Sequence, residues 1–292
     1  MTNITLLDGG MGQELVHRAG DKPTPLWSTQ VMVDHPGLVA EVHRDFAKAG
    51  ATVATTNTYA IHHDRLTGTA MEDRFTDLHK LALAEAAQVA TPRIAGSIGP
   101  LVQSYRGDVA PPHDEAVPKY AEVAELLGPQ VDLILCETVA SVAHAAAIIE
   151  GAQAAGKPVW VAFTVSDSDG TQLRSGEPLA DGLAAVEAAS AVLVNCSAPE
   201  AIPAALDVLK TTGKPYGAYA NGFERITEDF LGTKPTVDTL SKRRDFTPEV
   251  YADHALSWVD HGATIVGGCC EVSPAHIAEL ANRLRAAGHE LI

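Results

Sequence analysis

Short apolar runs and longer amphipathic stretches alternate along this chain. Eight short runs recur, and most of them are rich in β-branched or aliphatic residues, which is typical of strands covered on both faces. We predict these strands at Ile4–Asp8, Thr52–Asn57, Arg93–Ser97, Val131–Glu137, Pro158–Thr164, Ala191–Asn195, Tyr216–Ala220 and Thr264–Gly267. Amphipathic patterns between them predict helices, among them Gly37–Ala49, Ala121–Leu127, Val139–Ala155, Ile202–Leu209, Tyr251–Asp260 and Ala275–Arg285.

This alternation of strands and helices predicts an α/β fold with a parallel sheet. Eight units of about 36 residues each favour a closed (β/α)8 TIM-type barrel, which we expect to form a single domain over residues 1–292. An open, doubly wound sheet is the alternative, because periodicity alone does not show closure. The longest stretch without a clear element is Asn221–Phe246, and loops of this length often cover active sites. Its basic cluster, Lys242-Arg243-Arg244, is interpreted as a solvated surface patch.

Composition narrows the class of protein. The 292-residue chain is 46% hydrophobic and 20% charged, so it can bury a sizeable core. Its 21 basic and 37 acidic residues give a net charge of −16, which disfavours nucleic acids and anionic membranes as partners. Neither a signal-peptide pattern nor an apolar run of about 18 residues is present, so we expect a cytoplasmic protein. Four cysteines are too few for a disulfide scaffold in a chain of this length.

The cysteines are placed where a barrel carries its chemistry, at the carboxyl ends of strands. Cys196 follows predicted strand six, and Cys269 and Cys270 follow strand eight. Backbone freedom at Gly267-Gly268 would let both adjacent cysteines face one metal ion, and three thiolates with an open fourth position suit a catalytic zinc. From spacing alone, a Cys269–Cys270 disulfide and two small buried residues are alternatives. Cys136 lies inside a strand and is expected in the core.

Two acidic residues also end strands. Asp8 and Glu137 can therefore face one cavity, although capping of the following helices is the alternative reading of both. Such carboxylates would hold the ammonium group of an amino acid, and backbone N–H groups of Gly9-Gly10-Met11 would hold its carboxylate. Trp27 and Tyr59 would offer aromatic faces to a cation. Each aromatic residue taken alone is also consistent with ordinary packing.

Several segments, in chain order, resemble the homocysteine S-methyltransferase family. They are Asp8-Gly9-Gly10-Met11-Gly12, Pro25-Leu26-Trp27-Ser28, Thr56-Asn57-Thr58-Tyr59, Gly96-Ser97-Ile98-Gly99-Pro100, Glu137-Thr138, Val194-Asn195-Cys196-Ser197, Gly267-Gly268-Cys269-Cys270 and Ser273-Pro274-Ala275-His276-Ile277. The resemblance runs nearly from end to end, and Asn-Cys followed by Gly-Gly-Cys-Cys is its most specific part. It implies a (β/α)8 barrel in which Cys196, Cys269 and Cys270 hold Zn²⁺ and the thiol of homocysteine takes the fourth position.

The resemblance also implies the reaction. A free thiol with a pKa of about 8.5 is a weak methyl acceptor at neutral pH, and metal coordination deprotonates it. The resulting thiolate would attack an activated methyl group in line and give methionine. Glu137 and the Asp8 loop would hold the amino-acid end of homocysteine, and Asn195 is assigned to the same substrate site. Trp27 and Tyr59 would line the side of the methyl donor.

The methyl donor is less closely defined. Known donors of the family include S-methylmethionine, S-adenosylmethionine, betaine and methyl-tetrahydrofolate. Because the chain ends soon after the eighth predicted helix, we expect a free small onium donor: S-methylmethionine or S-adenosylmethionine, with betaine as a further candidate. The oligomeric state is not predicted.

Two segments depart from the family pattern. Tyr219-Ala220-Asn221-Gly222-Phe223-Glu224 stands where family members often read Tyr-Pro-Asn-Ser-Gly-Glu. Glu271-Val272-Ser273-Pro274 stands where sulfonium-using relatives carry Arg-Thr-Thr-Pro, which reverses a charge beside the metal. Two alternatives therefore stay open. One is a zinc-dependent methyltransferase with a different thiol or selenol acceptor or a different donor, and the other is a non-enzymatic zinc or redox thiol protein.

Overall fold

The computed structural model describes residues 2–22, 24–227, 229–232 and 239–292. Within these ranges the strands are β1 Asn3–Leu6, β2 Val53–Thr55, β3 Arg93–Ile98, β4 Leu133–Val139, β5 Val159–Phe163, β6 Ala191–Asn195, β7 Tyr216–Tyr219, β8 Ile265–Val266 and β9 Glu290–Leu291. The α-helices are α1 Met11–Ala19, α2 Trp27–Asp34, α3 Leu38–Ala49, α4 His63–Leu66, α5 Phe75–Ala86, α6 His113–Leu127, α7 Val142–Ala152, α8 Leu179–Ala185, α9 Ile202–Leu209, α10 Pro248–Asp260 and α11 Pro274–Ala286. Each of the eight predicted strands is present within two residues of at least one of its predicted ends.

The first eight strands form one parallel sheet in the order β2-β3-β4-β5-β6-β7-β8-β1. The two ends of this series meet, because Leu7 forms a parallel bridge with Val53. Next to this bridge, the backbone N–H of Thr52 donates to the carbonyl of Leu6 over 2.7 Å. The sheet therefore closes on itself, which confirms the predicted (β/α)8 barrel and rules out the open, doubly wound alternative.

Strand β4 shows how the sequence pattern becomes two apolar layers. Leu133 and Leu135 belong to the cluster inside the barrel, whereas Ile134 and Cys136 belong to the larger cluster between the strands and the helices. Successive side chains of a strand alternate between faces, so Glu137 continues the inward series of Leu133 and Leu135. Cys136 is fully buried and burial raises the pKa of its thiol, so the prediction that it lies in the core is confirmed.

The late helices begin where the sequence indicates. Thr247 precedes Pro248, and its hydroxyl accepts the backbone N–H of Val250 at 3.3 Å. At the start of α11, Ser273 and His276 cap each other reciprocally, with Pro274 at the first helical position. A hydroxyl cap followed by proline satisfies the free N–H groups of a first turn and pre-sets its backbone angle.

Three features differ from the sequence-based picture. Strand β9 was not predicted, and it pairs in parallel with the first half of β1. The described part of Asn221–Phe246 contains a short 3-10 turn at Asp229–Leu231 and an antiparallel bridge between Phe223 and Lys242, while residues 228 and 233–238 lie outside the described residues. The basic cluster is not simply solvated, because Lys242 pairs with Glu271 at 2.6 Å and Arg243 pairs with Glu200. None of the helices in the described ranges is long and apolar enough to cross a membrane.

Candidate active site

Three cysteine sulfurs meet at the carboxyl ends of β6 and β8. The Sγ atoms of Cys196, Cys269 and Cys270 all lie within 4.8 Å of one another, which is close to the span of two Zn–S bonds of about 2.3 Å each. Cys196 and Cys269 are joined by a disulfide in this structure, with Cα atoms 5.8 Å apart, so the cluster offers three thiolates to a metal ion only after this pair is reduced. Cys270 is a free thiol, so the alternative of a Cys269–Cys270 disulfide is wrong.

The backbone brings these cysteines together in an unexpected way. Positive φ angles occur at Cys196 (49°) and at Glu271 (68°), but not at Gly267 or Gly268. The expectation that the two glycines turn the chain through their conformational freedom is therefore wrong. Glycine is needed at Gly268 for space instead, since an added Cβ would lie 2.1 Å from Cγ1 of Val272.

This donor set fits a borderline or soft metal ion. Burial raises the pKa of the Cys270 thiol to about 12, and the charges of Glu271 and Glu137 act in the same direction. A thiolate at this place therefore needs a compensating cation, and three thiolates with a free fourth position match the pattern of a catalytic zinc site. An apolar wall packs around the sulfurs, formed by Tyr105, Phe223, Phe230 and Leu240.

An arginine supports Cys196 from behind. Arg174 forms a two-pronged pair with Asp167, with N···O distances of 2.9 and 2.6 Å. Its Nη2 also donates to the carbonyl of Cys196 at 3.4 Å, and its guanidinium lies 5.4 Å from the ring centre of Tyr105. Arg174, its charge matched by Asp167, thus helps to hold the positive-φ backbone of Cys196.

Asp8 is held by the neighbouring strand. Its two carboxylate oxygens accept the backbone N–H of Thr55 at 2.7 Å and the Thr55 hydroxyl at 2.8 Å. Burial raises the pKa of Asp8 to about 7, because desolvation outweighs these hydrogen bonds and the charge of Glu137 adds to it. The helix-capping alternative for Asp8 is wrong, since α1 has Gly10 at its N-cap and no side-chain cap.

Glu137 lies across the same cavity. Its carboxylate accepts hydrogen bonds from the hydroxyl of Ser97 and from the hydroxyl of Tyr219, the second at 3.0 Å. Burial raises its pKa, and the two hydroxyl donors act in the opposite direction. Helix capping is again wrong, because α7 is capped by Ser141, whose hydroxyl accepts the N–H of His144.

The glycine loop after β1 does not offer all the donors that were expected. The N–H of Gly10 donates to the carbonyl of Val272 at 2.8 Å, and the N–H of Met11 donates to the carbonyl of Gly9 at 2.8 Å. The expectation that backbone amides of Gly9-Gly10-Met11 hold a carboxylate is therefore wrong for two of the three residues.

The first turn of α1 supplies other donors. The N–H groups of Gly12 and Gln13 have no acceptor within the described part of the chain, as is usual for the first turn of a helix. Gly12 lines the cavity, and the helix dipole places partial positive charge there. A substrate carboxylate can bind at this helix end.

The three cysteines, Asp8, Glu137 and Gly12 line one cavity of about 740 Å³, which is within the usual range for small-molecule sites. The cavity brings together every residue that the sequence assigned to the site. These are Asp8, Gly9, Gly10, Met11, Trp27, Tyr59, Glu137, Asn195, Cys196, Cys269 and Cys270.

Asn195 joins two strand ends rather than presenting its amide freely. Its Oδ1 accepts the N–H of Thr138 at 3.0 Å, and its Nδ2 donates to the Thr138 hydroxyl at 3.2 Å. Thr138 has a φ of 59° and directly follows Glu137. Asn195 therefore stabilises the turn that orients Glu137.

The aromatic pair forms another wall of the cavity. The rings of Trp27 and Tyr59 meet edge to face with centres 6.2 Å apart. The Tyr59 hydroxyl lies 2.6 Å from the Ser104 hydroxyl, and the Arg65 guanidinium lies 5.6 Å from the Tyr59 ring centre. One face of Tyr59 therefore already carries a cation, which leaves Trp27 and the rest of Tyr59 to meet a ligand.

Glu271, the acidic departure from the family pattern, has well-defined partners. Its side chain is only 10% exposed, and its two oxygens bind Lys242 Nζ at 2.6 Å and Gln13 Nε2 at 2.6 Å. Gln13 in turn accepts the indole N–H of Trp27 at 2.8 Å. The reversed charge is thus matched by a lysine of the 221–246 segment, and the network reaches the aromatic wall.

The cavity lining also includes polar and aromatic residues that sequence reasoning did not assign to the site, among them Ser97, Tyr219, Arg65 and Tyr105. Ser97 and Tyr219 stand at the carboxyl ends of β3 and β7, so the rule that found Glu137 could have found them. Arg65 and Tyr105 lie in connections outside the strands, where no periodic pattern marks an inward-facing side chain.

Comparison with known proteins agrees with this geometry. A family model described as homocysteine S-methyltransferase matches residues 5–284. The chain is 33% identical to the homocysteine S-methyltransferase of Escherichia coli (strain K12), with 96% of this chain and 95% of that protein covered. It is 26% identical to the selenocysteine Se-methyltransferase of Brassica oleracea var. italica, with 96% and 88% covered. The crystal structure of the homocysteine methyltransferase MmuM from Escherichia coli in its metallated form superposes with a TM-score of 0.79, at 28% identity and 97% and 96% coverage. With a closed barrel, a three-cysteine cluster and a family match over nearly its whole length, the chain belongs to the homocysteine S-methyltransferase family of transferases.

Proposed function

We propose that this protein transfers a methyl group from a small onium donor to the thiol of homocysteine and so forms methionine. S-Methylmethionine is the first candidate donor, followed by S-adenosylmethionine and betaine. The observation that carries the proposal is the meeting of three cysteine sulfurs and two buried carboxylates in one cavity of about 740 Å³. We take residues 1–292 as one catalytic barrel domain.

Zn²⁺ is the proposed metal, with Cys196, Cys269 and Cys270 as its ligands. When bound, zinc would lower the pKa of a thiol added as a fourth ligand, so that a thiolate is available at neutral pH. The apolar wall around the sulfurs supports this assignment, because a dry surrounding favours metal–thiolate bonding over free, buried thiolates. We also propose a cytoplasmic location, since three thiols must stay reduced to bind a metal.

The acceptor is oriented by its amino-acid end. The substrate ammonium binds between Asp8 and Glu137, and its positive charge favours the ionised form of both carboxylates. The substrate carboxylate binds at the free N–H groups of Gly12 and Gln13 in the first turn of α1. This arrangement places the side-chain thiol toward the cysteine cluster.

The transfer is a direct displacement. The homocysteine sulfur forms a bond to the methyl carbon while the bond from that carbon to the donor heteroatom breaks, and the bonding electron pair leaves with the donor. The thiol proton is released to solvent before attack. A thiolate and an onium ion lose their charges as they react, so the apolar wall of Tyr105, Phe223 and Phe230 favours the less polar transition state.

The decisive test combines metal analysis with a donor panel. Protein purified under reducing conditions is assayed for zinc and then mixed with homocysteine and one CD₃-labelled donor at a time, and labelled methionine is measured by mass spectrometry. We expect one zinc per chain and label transfer from S-methylmethionine. Zinc-loaded protein that transfers label from none of the donors would overturn the proposal, and so would full activity without metal.

A selenol acceptor is the second candidate. It is favoured by the similarity to a selenocysteine Se-methyltransferase. Competition between homocysteine and selenocysteine for one labelled donor decides between the two acceptors through the ratio of the two kcat/KM values.

A further inference from the structure

A guanidinium lines the cavity near the aromatic wall. Arg65 belongs to the short helix α4, which follows β2, and it lies over the ring of Tyr59. Both residues line the same cavity as the cysteines and the carboxylate pair. The pKa of Tyr59 is raised by burial, the Arg65 charge acts against this rise, and Glu137 acts with it. Tyr59 therefore lies within electrostatic range of both Arg65 and Glu137.

The hydrogen bonds of Arg65 hold it in place but leave donors free. Its Nε donates to the carbonyls of Pro100 and Leu101 at 3.0 and 3.2 Å, and its Nη2 donates to the Ser104 hydroxyl at 3.3 Å. Nη1 has no acceptor among the residues that the structure describes. Guanidinium groups carry five N–H donors in a planar fork, so this one is fixed by neutral groups and still able to bind a further acceptor.

The charged neighbours of Arg65 are already engaged elsewhere. Asp64 pairs with Lys119 at 2.8 and 3.0 Å, and the other cavity guanidinium, Arg106, pairs with Asp108 at 2.6 Å. Within the described ranges, Arg65 forms no ion pair. Burial lowers the pKa of Arg65, and the nearby Tyr59, Tyr120 and Asp64 act in the opposite direction.

We propose that Arg65 binds the carboxylate of the methyl donor and thereby selects onium donors that carry a carboxylate. This inference rests on the proposed function. A planar guanidinium matches a carboxylate in a paired, charge-assisted geometry. The donor then spans the cavity, with its carboxylate on Arg65 and its onium group directed past Tyr59 and Trp27 toward the thiol. The acceptor carboxylate uses the first turn of α1 instead, so each substrate has its own anion site.

The test compares pairs of related donors, one with a carboxylate and one without it. The pairs are S-methylmethionine against its decarboxylated analogue, (3-aminopropyl)dimethylsulfonium, and betaine against choline. For Arg65→Gln we expect kcat/KM for the carboxylate donor to fall about 10–100-fold, the usual loss for a charged hydrogen bond. The decarboxylated donor and the KM of homocysteine should change less than about threefold, and Arg65→Lys should recover part of the loss.

The control is Arg44→Gln, which removes the same charge from an exposed position on α3. This variant should leave kcat/KM unchanged for both donors of each pair. The inference is overturned if Arg65→Gln slows both members of a donor pair equally, or if it raises the KM of homocysteine instead. Calorimetric binding of each donor to the protein gives the same comparison without turnover. A carboxylate-dependent loss of binding with no methyl transfer would therefore support the Arg65 site while overturning the proposed function.

Discussion

Two walls of one cavity are built by different means. The thiol and carboxylate wall consists of strand ends: Asp8 after β1, Glu137 in β4, Cys196 after β6 and the cysteine pair after β8. The donor wall consists of connections and helix starts, with Trp27, Tyr59 and Arg65 held by side-chain hydrogen bonds and ring contacts. A parallel ladder fixes the first wall, whereas the second depends on contacts between distant residues. We therefore expect substitutions in the thiol and carboxylate wall to abolish methyl transfer. Substitutions in the donor wall should instead change the preference among methyl donors.

The largest effect is expected at the cysteines. Cys196→Ala or Cys270→Ala removes a proposed metal ligand, so zinc content should fall well below one per chain and activity by at least about 10³-fold. Cys136→Ala is the matched control, because Cys136 is buried in the outer core and outside the cavity. It should cost about 1 kcal/mol of stability and keep its metal. Full zinc binding by both variants would show that neither Cys196 nor Cys270 is a metal ligand.

The next effect is on how the free energy of unfolding changes with pH. The pKa of Asp8 is raised from 3.8 to about 7 in the folded protein, so between these values the folded state holds a proton that the unfolded state has released. The contribution is complete below about pH 4 and is lost as pH rises through about 7, by on the order of 2–4 kcal/mol without substrate or metal. Urea unfolding of metal-free protein at several pH values measures this slope. Asp8→Asn should make the free energy of unfolding less dependent on pH. An unchanged pH dependence in this variant would contradict the raised pKa of Asp8.

A smaller effect is expected at Glu137. Glu137→Gln removes a charge that would face the substrate ammonium, so the KM of homocysteine should rise about 10²-fold. The KM of the donor should change little, because the donor is proposed to bind at the other wall. Steady-state kinetics with each substrate varied in turn measures both values. Glu150→Gln, at an exposed position, is the control, and equal changes in both KM values would show that the two walls are not separate.

The smallest effect is expected at Glu271. Glu271→Ala frees the Gln13 amide, which holds the indole of Trp27, so the donor KM should rise about three- to tenfold. Glu271→Gln keeps an acceptor for Gln13 and should restore most of the affinity. Zinc content should stay at the wild-type value in both variants. A loss of zinc would instead mean that Glu271 acts on the cysteine turn.

Most residues of the thiol and carboxylate wall could be predicted from the sequence, because strand periodicity and barrel topology place the residues at strand ends together. Cys196 and Glu137 needed only the positions of β6 and β4. Arg65 gave no such signal, because α4 has a single turn and its orientation depends on the carbonyls of Pro100 and Leu101, some 35 residues away. Strand β9 was missed for a related reason: two residues are too short to show a pattern, and its pairing with β1 joins the two chain ends.

The order of strands and helices and the placement of three cysteines at strand ends follow from local patterns, since each depends on spacing within one segment. Closure of the barrel does not, because it depends on the pairing of Leu7 with Val53 in another segment. Tertiary structure alone decided which groups are engaged. The N–H groups of Gly10 and Met11 donate to backbone carbonyls. The absence of a side chain at Gly268 leaves space for Val272, and Lys242 forms an ion pair with Glu271. Each of these is a contact between a residue and a partner in another segment or in the folded turn itself. The local pattern of hydrophobic and polar residues determines which face of a strand or helix a side chain occupies. The hydrogen-bond partner of a polar atom is determined only when distant segments pack together.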